Sequence, residues 1–186
     1  MSGHRRGNSI PSRSWLDPPS TALSGFGQGS VTASPLQMAM VTAGIANDGV
    51  VMKPYLVNSL QSPTSFETLK STNPEQLSQA TSSSTASEVT KMMVATVQSG
   101  TATPAAIPGI QVAGKTGTAQ SGLKNPDGTE VPPYAWFVGF APAQSPKVAV
   151  CVMLQHVDQP TDEIHGGTLG GPIAKAVMEA VLNPHG

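Results

Sequence analysis

The chain has 186 residues, enough for one ordinary domain, and its 10 Lys and Arg residues against 11 Asp and Glu residues give a formal net charge of -1. This balance excludes the basic surface with which proteins neutralise phosphates, so we expect no nucleic-acid partner. Hydrophobic residues make up 38% of the sequence, which excludes a disordered chain. The longest apolar run, residues 148 to 154, is too short to cross a bilayer, and no apolar stretch follows the N-terminal arginines. We therefore expect neither a transmembrane segment nor a signal peptide in this chain.

The N-terminal third predicts a tail followed by a helix. Residues 1–24 are rich in Pro, Ser and Arg without hydrophobic periodicity, and we predict a disordered tail there and one folded domain over residues 25–186. Ser34-Pro35-Leu36-Gln37 combines an N-cap serine, a proline in the first turn and a glutamine at the capping-box position. The sequence therefore predicts a helix from about residue 35 to residue 47, where Asn47-Asp48-Gly49 ends it.

The middle third predicts short strands and a second helix. Residues 50–52 and 55–60 have strand character, and residues 66–70 predict a hairpin partner for the second of these segments. The Ser- and Thr-rich stretch that follows predicts a surface loop. A second capping-box pattern, Thr85-Ala86-Ser87-Glu88, predicts a helix that ends before Gly100.

The last third predicts an antiparallel meander of three strands over residues 111–119, 135–140 and 147–154. The last strand is apolar on both faces, so we expect a layer on each side of it and expect Cys151 within it to behave as a small buried hydrophobe. A closing helix should begin at Pro172, and the glycine pairs before it should form a flexible linkage. The fold class is therefore α+β, an antiparallel sheet with flanking helices. Trp136 and Phe137 are expected to be sheet and core residues.

Residues 109–116 match the phosphate-loop pattern G-x-x-x-x-G-K-[ST]. A phosphate loop must open a helix, whereas Pro104 and Pro108 precede this segment and Gly117 and Gly122 follow it. A nucleotide-binding protein is therefore the least favoured of the functions that we consider.

A different set of segments accompanies the Lys115-Thr116-Gly117-Thr118 sequence on the first strand of the meander. These segments are Gly27-Gln28-Gly29-Ser30-Val31-Thr32, Ser34-Pro35-Leu36-Gln37-Met38-Ala39, Gly49 with Lys53-Pro54, Gly100-Thr101-Ala102, Gly114 to Ala119, and Ala135-Trp136-Phe137-Val138-Gly139-Phe140-Ala141-Pro142. In this order and spacing, they resemble the C-terminal half of the transpeptidase domain of class B penicillin-binding proteins, of the actinobacterial elongation or division type. Lys115-Thr116-Gly117 corresponds to the K-T-G element of active-serine penicillin-interacting enzymes. The resemblance covers about residues 25 to 182 and implies part of a penicillin-binding, β-lactamase-like fold.

The resemblance implies a peptidoglycan D,D-transpeptidase, a serine acyl-transferase that is inhibited by β-lactams. A D-Ala-D-Ala stem peptide held as an extra strand needs a facing position without a side chain, which Gly117 supplies. Its terminal carboxylate needs hydroxyl donors and a positive charge, and these are Thr116, Thr118 and Lys115. The resemblance also assigns the backbone N–H of Thr118 to the oxyanion of the tetrahedral intermediate.

The nucleophile of this family has no counterpart that we accept in the chain. The family's Ser-x-x-Lys and Ser-x-Asn elements lie upstream of the region of resemblance. Ser121-Gly122-Leu123-Lys124 fits the first pattern only literally, because a glycine inside it and a proline after it oppose the necessary helix. Ser71-Thr72-Asn73 fits the Ser-x-Asn pattern, but it lies in the Ser- and Thr-rich stretch, and its order along the chain argues against this role. We therefore expect the chain to be inactive alone, and whether it is itself an enzyme stays open. The alternative function is a non-catalytic module that binds D-Ala-D-Ala peptides or β-lactams.

The remaining expectations concern cofactors, partners and location. We expect no cofactor and no metal, because the possible ligands fall in a connecting loop without a focusing spacing; they are His156, Asp158, Asp162, Glu163 and His165. The expected partners are the stem peptide or a β-lactam, and the missing half of the domain or other cell-wall synthesis proteins. By resemblance the location is the extracytoplasmic face of the cytoplasmic membrane. In the family, the last strand pairs with a strand that precedes the nucleophile helix, so we expect the isolated chain to be poorly soluble or to need a partner.

Overall fold

The computed structural model describes residues 18–25, 27–28, 31–120, 122–155, 157 and 159–183. The helices are α1 (Pro18–Ser24), α2 (Pro35–Ala46), α3 (Ser83–Ser99) and α4 (Gly166–Leu182), and Thr103–Ala105 and Thr161–Glu163 form short 3-10 turns. The strands are β1 (Val50–Met52), β2 (Ser59–Gln61), β3 (Thr68–Ser71), β4 (Gln76–Gln79), β5 (Ala113–Ala119), β6 (Tyr134–Ala141) and β7 (Val148–Leu154). None of the helices in the described residues is both long and apolar enough to span a membrane.

The core is built on the three-stranded antiparallel sheet β5-β6-β7, which confirms the predicted meander. Alternate side chains of these strands point to opposite faces. On one face, Phe137 and Val152 pack with Met178 of α4. On the other face, Phe140 and Ala113 pack with the helical pair α2 and α3. The expected layer on each side of β7 is therefore present, and the predicted α+β class is confirmed.

Helix α2 begins and ends as the sequence predicts. The backbone N–H of Gln37 donates to Ser34 Oγ at 3.3 Å, and the backbone N–H of Ser34 donates to Gln37 Oε1 at 2.8 Å. The helix ends before Asp48 and Gly49, whose φ angles of 53° and 84° lie in the left-handed region. Capping and termination both depend on neighbours in sequence, which is why these two boundaries were predictable.

Two small ribbons lie outside the main sheet. Strands β2 and β3 form the predicted hairpin, but the extended part begins at Ser59 rather than at residue 55. Strand β4 pairs with β1, although we predicted a surface loop for this stretch. All four residues of β4 are exposed, so its sequence carries no alternation of polar and apolar residues that could predict a strand.

Helices α3 and α4 both begin earlier than predicted. The N-cap of α3 is Ser82, whose Oγ accepts from the backbone N–H of Thr85 at 3.1 Å, so the predicted cap at Thr85 lies inside the helix. Helix α4 begins at Gly166 and contains Pro172, so the prediction that it starts at Pro172 was wrong. The glycines that we predicted as a flexible linkage are buried within α4.

Close packing explains the glycines of α4. A Cβ atom at Gly166 would lie 1.9 Å from the carbonyl oxygen of Trp136 and 2.7 Å from that of Gly117. A Cβ atom at Gly167 would lie 1.9 Å from the carbonyl oxygen of Thr101. The first turn of α4 therefore rests directly on the backbone of the sheet, a contact that only glycine permits.

The N-terminal segment differs from the prediction where the structure describes it. We predicted disorder over residues 1–24, whereas Pro18–Ser24 form α1. Helix α1 buries none of its residues, which is why its sequence lacks a hydrophobic stripe. Residues 1–17 lie outside the described residues, so the predicted tail remains a prediction there.

Candidate functional site

A cavity of about 310 Å³ lies beside β5, on the sheet face that carries α2. Residues 115–119 of β5 form one wall, and Trp136 and Val138 of β6 form its floor. Met38 of α2 and the segment before this helix close the opposite side. The lining residues from that segment are Gly27, Gln28, Val31 and Ala33.

The edge of β5 that faces away from β6 carries no further strand in the described part of the chain. The Thr116 carbonyl accepts from Lys115 Nζ at 2.7 Å, and the Thr118 carbonyl accepts from Gln28 Nε2 at 3.5 Å. The N–H and C=O of one residue in an extended strand point to the same side, and successive residues alternate. The backbone groups of Thr116 and Thr118 therefore face the open edge, where an extended ligand could pair with them.

Gly117 leaves the middle of this edge without a side chain. It pairs with Trp136 in the sheet, and a Cβ atom at Gly117 would lie 3.3 Å from Trp136 Cβ. By strand alternation, its neighbours on the same face are Lys115 and Ala119. A ligand can thus approach the backbone of β5 closely between these two side chains.

The side chain of Thr116 points to the opposite face, toward α4. Its Oγ1 lies 2.8 Å from Oγ1 of Thr101, and a Cβ atom at Gly167 would lie 3.2 Å from Thr116 Cγ2. One of the two paired hydroxyls donates to the other, which leaves one hydroxyl hydrogen for an external acceptor. Thr101 therefore belongs to the site, although from the sequence we had placed it only among the shared segments.

The chain matches the Penicillin binding protein transpeptidase domain over residues 2–179. It belongs to this family. The chain is 44% identical over 169 residues to the peptidoglycan D,D-transpeptidase PbpA of Mycolicibacterium smegmatis, covering 90% of this chain and 33% of that protein. It is 40% identical over 168 residues to PbpA of Mycobacterium tuberculosis strain H37Rv, covering 89% of this chain and 33% of that protein. The chain thus spans about a third of the length of the curated relatives that it matches.

Solved structures of penicillin-binding proteins have the same fold. The ceftriaxone acyl-enzyme complex of penicillin-binding protein A from Mycobacterium tuberculosis superimposes with a TM-score of 0.78 at 39% identity, covering 89% of this chain and 36% of that chain. Penicillin-binding protein 3 of Mycobacterium tuberculosis, complexed with aztreonam, superimposes with a TM-score of 0.77 at 28% identity. This match covers 95% of this chain and 40% of that chain. The resemblance to an actinobacterial penicillin-binding transpeptidase is confirmed.

The structure brings the predicted residues of this transpeptidase family together, since Lys115, Thr116, Gly117 and Thr118 all line the cavity beside β5. Their individual roles stay predictions. From the sequence, Gln28 was placed only among the shared segments, although its amide reaches the Thr118 carbonyl. Trp136 was expected in the sheet and core, and its side chain lines the cavity. Phe137 is fully buried, as expected.

The alternative motifs do not form sites in the described residues. Residues 113–119 are a strand, so Lys115 and Thr116 do not open the helix that a phosphate loop requires. Ser71 is the last residue of β3, in an exposed ribbon, and its neighbour Thr72 donates its hydroxyl to the Val57 carbonyl. Ser121 lies outside the described residues, while Lys124 forms a backbone bridge with Glu130.

The possible metal ligands are spread over the segment before α4. His156 and Asp158 lie outside the described residues, Asp162 and Glu163 belong to a 3-10 turn, and His165 directly precedes α4. Within the part of the chain that the structure describes, no three His, Cys, Asp or Glu side chains lie together as ligands for a metal ion.

Two titratable groups have shifted pKa values, and both lie outside the cavity. The hydroxyl and the backbone N–H of Thr129 donate to the Asp127 carboxylate at 2.6 Å and 3.0 Å, and these hydrogen bonds lower the pKa of Asp127. Partial burial in β7 raises the pKa of the Cys151 thiol.

Proposed function

We propose that this chain supplies the substrate-binding wall of a peptidoglycan D,D-transpeptidase, and that the open edge of β5 binds the D-Ala-D-Ala end of a stem peptide or a β-lactam. The observation that carries the proposal is the combination at this edge of backbone groups that no further strand pairs in the described residues, a glycine without a side chain and an adjoining cavity of about 310 Å³. An added strand gains affinity from main-chain hydrogen bonds and specificity from pockets for its side chains. Solved structures of relatives named as ceftriaxone and penicillin G acyl-enzyme complexes support the same ligand class.

The backbone of Thr118 fixes the register of the ligand in this proposal. In an antiparallel pair, two opposite residues exchange both of their N–H···O bonds. The penultimate D-Ala then donates its N–H to the Thr118 carbonyl, where Gln28 now donates, and its scissile carbonyl accepts from the Thr118 N–H. The same N–H stabilises the oxyanion when this carbonyl becomes tetrahedral.

The terminal carboxylate of the ligand then lies near Thr116 and Lys115. The Lys115 ammonium group donates to the Thr116 carbonyl in the structure, and an anionic carboxylate is a stronger acceptor than this neutral group. The hydroxyl pair of Thr116 and Thr101 offers one further donor. These groups bind the ligand as an anion and align its scissile bond with Thr118.

We also propose that the 186-residue chain binds its ligand without acylating itself. Acyl transfer in this family needs a serine that an adjacent base activates, and no serine is among the described residues that line the cavity. Incubation of the chain with a fluorescent penicillin should give no covalent label, with a full-length relative as the positive control. Covalent labelling, for example at Ser121, would refute this part of the proposal.

Ligand binding at the β5 edge is tested by calorimetry with an N-acetylated peptide that ends in D-Ala-D-Ala. Hydrogen bonds to charged groups contribute about 1.5–3 kcal/mol, so Lys115→Ala should weaken binding by about tenfold or more. Lys147→Ala, which removes an exposed lysine before β7, is the matched control and should leave binding unchanged. A C-terminal amide on the peptide should reduce wild-type affinity to that of Lys115→Ala, and equal binding of acid and amide would contradict the proposed role of Lys115.

The second candidate is a non-catalytic module that binds the same ligands. The described lining residues include no serine, which favours this module for the chain alone. Co-expression with a chain that carries the Ser-x-x-Lys and Ser-x-Asn portion of a relative distinguishes the two functions. Penicillin labelling that appears only in the mixture supports the transpeptidase, whereas continued lack of labelling in a stable complex supports the binding module.

The remaining proposals concern location and partners. Because stem peptides are cross-linked in the cell wall, we place the parent activity on the extracytoplasmic face of the cytoplasmic membrane. The proposed partner is the remainder of the transpeptidase domain, since the chain spans about a third of its curated relatives. Protease accessibility of the protein in intact spheroplasts tests the location, and complete protection by the membrane would contradict it.

A further inference from the structure

Residues 52–80, from the end of β1 to just before α3, include no buried residue. The structure describes this stretch completely, and 26 of its residues are exposed while three are half-buried. We call it the exposed segment. Strands β2 and β3 within it pair with each other and make no extensive contact with the other helices and strands of the described chain. A two-stranded hairpin is at best marginally stable in water unless its apolar face packs against something.

The exposed segment is nevertheless rich in apolar side chains. Six of the 16 large hydrophobic side chains that are exposed in the described residues lie within residues 55–69, and they are Tyr55, Leu56, Val57, Leu60, Phe66 and Leu69. The backbone of Phe66 has a φ of 57°, in the left-handed region that bulky residues rarely adopt. A concentration of exposed apolar side chains marks an interaction surface.

The hairpin offers its side chains to a partner rather than the edge of β3. Lys70 pairs with Leu60, and Thr68 pairs with Gln61, so Leu69 is an extra residue that forms a bulge in β3. A bulge disrupts the regular spacing of the backbone groups and protects an edge strand from pairing. We therefore expect side-chain contacts, and not an added strand, to cover this surface.

The charges of the exposed segment indicate which partner fits it. Its charged residues are Lys53, Glu67, Lys70 and Glu75, and Lys53 already forms an ion pair with Glu75 at 2.8 Å. Glu67 accepts a hydrogen bond from the Ser65 hydroxyl, but neither Glu67 nor Lys70 has an ion-pair partner in the described residues. The hairpin thus presents one anion and one cation three positions apart, and a partner that carries charges of one sign would be attracted by one and repelled by the other.

A second copy of the chain matches both charges. In a two-fold symmetric dimer, residue i of one copy contacts residue j of the other, and the reverse contact forms as well. Glu67 and Lys70 can therefore form two identical ion pairs across the symmetry axis. A standard interface uses about 20–30 residues from each partner, which residues 52–80 can supply.

We propose that the exposed segment is an interface between two copies of this chain. The apolar side chains around Phe66 and Leu69 pack against their counterparts across a two-fold axis, and Glu67 of each copy pairs with Lys70 of the other. This contact uses neither the β5 edge nor the cavity beside it, so the proposed function does not depend on it.

Charge reversal in the 186-residue chain tests the dimer by sedimentation velocity over a range of concentrations. Glu67→Lys and Lys70→Glu each place like charges opposite each other, and each should weaken dimerisation by about tenfold. An equimolar mixture of the two variants should regain dimerisation, because both contacts again join opposite charges. The double variant with Glu67→Lys and Lys70→Glu should also regain it, and this recovery shows that misfolding does not cause the loss in the single variants.

The matched controls reverse the charges of an exposed pair on α3. Glu88→Lys and Lys91→Glu, alone or mixed, should leave dimerisation unchanged. Leu69→Ser should weaken the dimer by about tenfold or more, because it removes a buried apolar contact. Met92→Ser removes an exposed apolar side chain of α3 and should have no effect.

Amide hydrogen exchange locates the contact. Protection over residues 55–71 should increase with protein concentration in the wild-type chain. Protection that increases only over residues 148–154 assigns self-association to β7 and overturns the proposal, and so does a mixture of the charge variants that associates no better than either variant alone. A hairpin that becomes protected only on addition of the remainder of the transpeptidase domain assigns the surface to that contact and also overturns the dimer.

Discussion

The hydroxyl pair of Thr101 and Thr116 connects the K-T-G strand to the turn after α3. This contact joins residues that are 15 positions apart, so the direction of the Thr116 side chain depends on tertiary packing. Without Thr101, the Thr116 hydroxyl loses the partner that holds it in position for a ligand carboxylate.

We predict that Thr101→Val weakens binding of the D-Ala-D-Ala peptide by about fivefold, the equivalent of one neutral hydrogen bond of about 1 kcal/mol. The free energy of unfolding should change by no more than about 1 kcal/mol, because Thr101 is exposed. Thr101→Ser keeps the hydroxyl and should restore binding. Thr90→Val, which removes a hydroxyl bonded to the Ala86 carbonyl within α3, is the control, and an equal loss of affinity in this variant would argue against a specific role for Thr101.

Cys151 gives a pH dependence of stability. Its thiol pKa is raised above the ordinary value of 9.0 by burial, so the folded chain retains the proton where the unfolded chain loses it. The thiol's contribution to stability is therefore complete below pH 9 and is lost as the pH rises through the raised pKa. Urea unfolding at several pH values between 8 and 11 should show a steeper decline for wild type than for Cys151→Ala. Parallel pH profiles for the two proteins would exclude this effect.

At the scale of residues, short motifs were predictable and long-range contacts were not. Lys115 to Thr118 could be identified because these residues are contiguous in the sequence and lie within a single strand, β5. Gln28 lies 90 positions from Thr118 and reaches it only when the segment before α2 folds over β5. No local pattern in the sequence contains this information.

The glycines at the start of helix α4 determine how closely its N-terminus approaches the binding edge of β5. Gly166 contacts the backbone of both β5 and β6, and Gly167 contacts the turn that carries Thr101. A side chain at either position must push α4 away from the sheet, since the nearest atoms belong to backbone carbonyls that cannot rotate aside.

We predict that Gly166→Ala lowers the free energy of unfolding by about 2–3 kcal/mol, in the range of overpacked core positions. Gly171→Ala in the same helix is the comparison: its Cβ would lie 3.2 Å from Pro104 Cβ, and the higher helix propensity of alanine, about 1 kcal/mol, offsets this mild crowding. Gly171→Ala should therefore be nearly neutral. Urea denaturation measures both variants, and equal destabilisation would show that backbone proximity at Gly166 is not the cause.

At the scale of elements, the accuracy of prediction followed the range of the interactions involved. The boundaries of α2 depend on the Ser34 and Gln37 cap and were predicted correctly. The start of α4 was not predicted correctly. Glycine pairs have low helix propensity and therefore predict a loop, whereas here glycine is required by the close contact of the helix with Trp136 and Thr101. Strand β4 was missed because its own four residues are all exposed and mostly polar, although its partner β1 is apolar.

The whole molecule has one sheet that is covered on both faces and open at both edges in the described residues. The edge of β5 carries lysine and threonine side chains, and Lys115 and Gln28 already bond two of its carbonyls. The edge of β7 consists of Val148–Leu154, in which every residue is apolar. Polar side chains protect an edge from unwanted pairing, so the two edges differ in their tendency to associate.

We predict that the isolated chain associates through the β7 edge, either with a second copy or with a strand from the remainder of the domain. Sedimentation velocity should show a weight-average mass that increases with concentration from about 1 to 100 μM, the range in which exposed strand edges cause aggregation. Met153→Lys places a charge on this edge strand and should shift association to higher concentration. Met92→Lys adds the same charge at an exposed position of α3 and should leave association unchanged. A wild-type chain that stays monomeric over the whole range and unfolds cooperatively would contradict the prediction, because an unpaired apolar strand would then be stable in water without a neighbour.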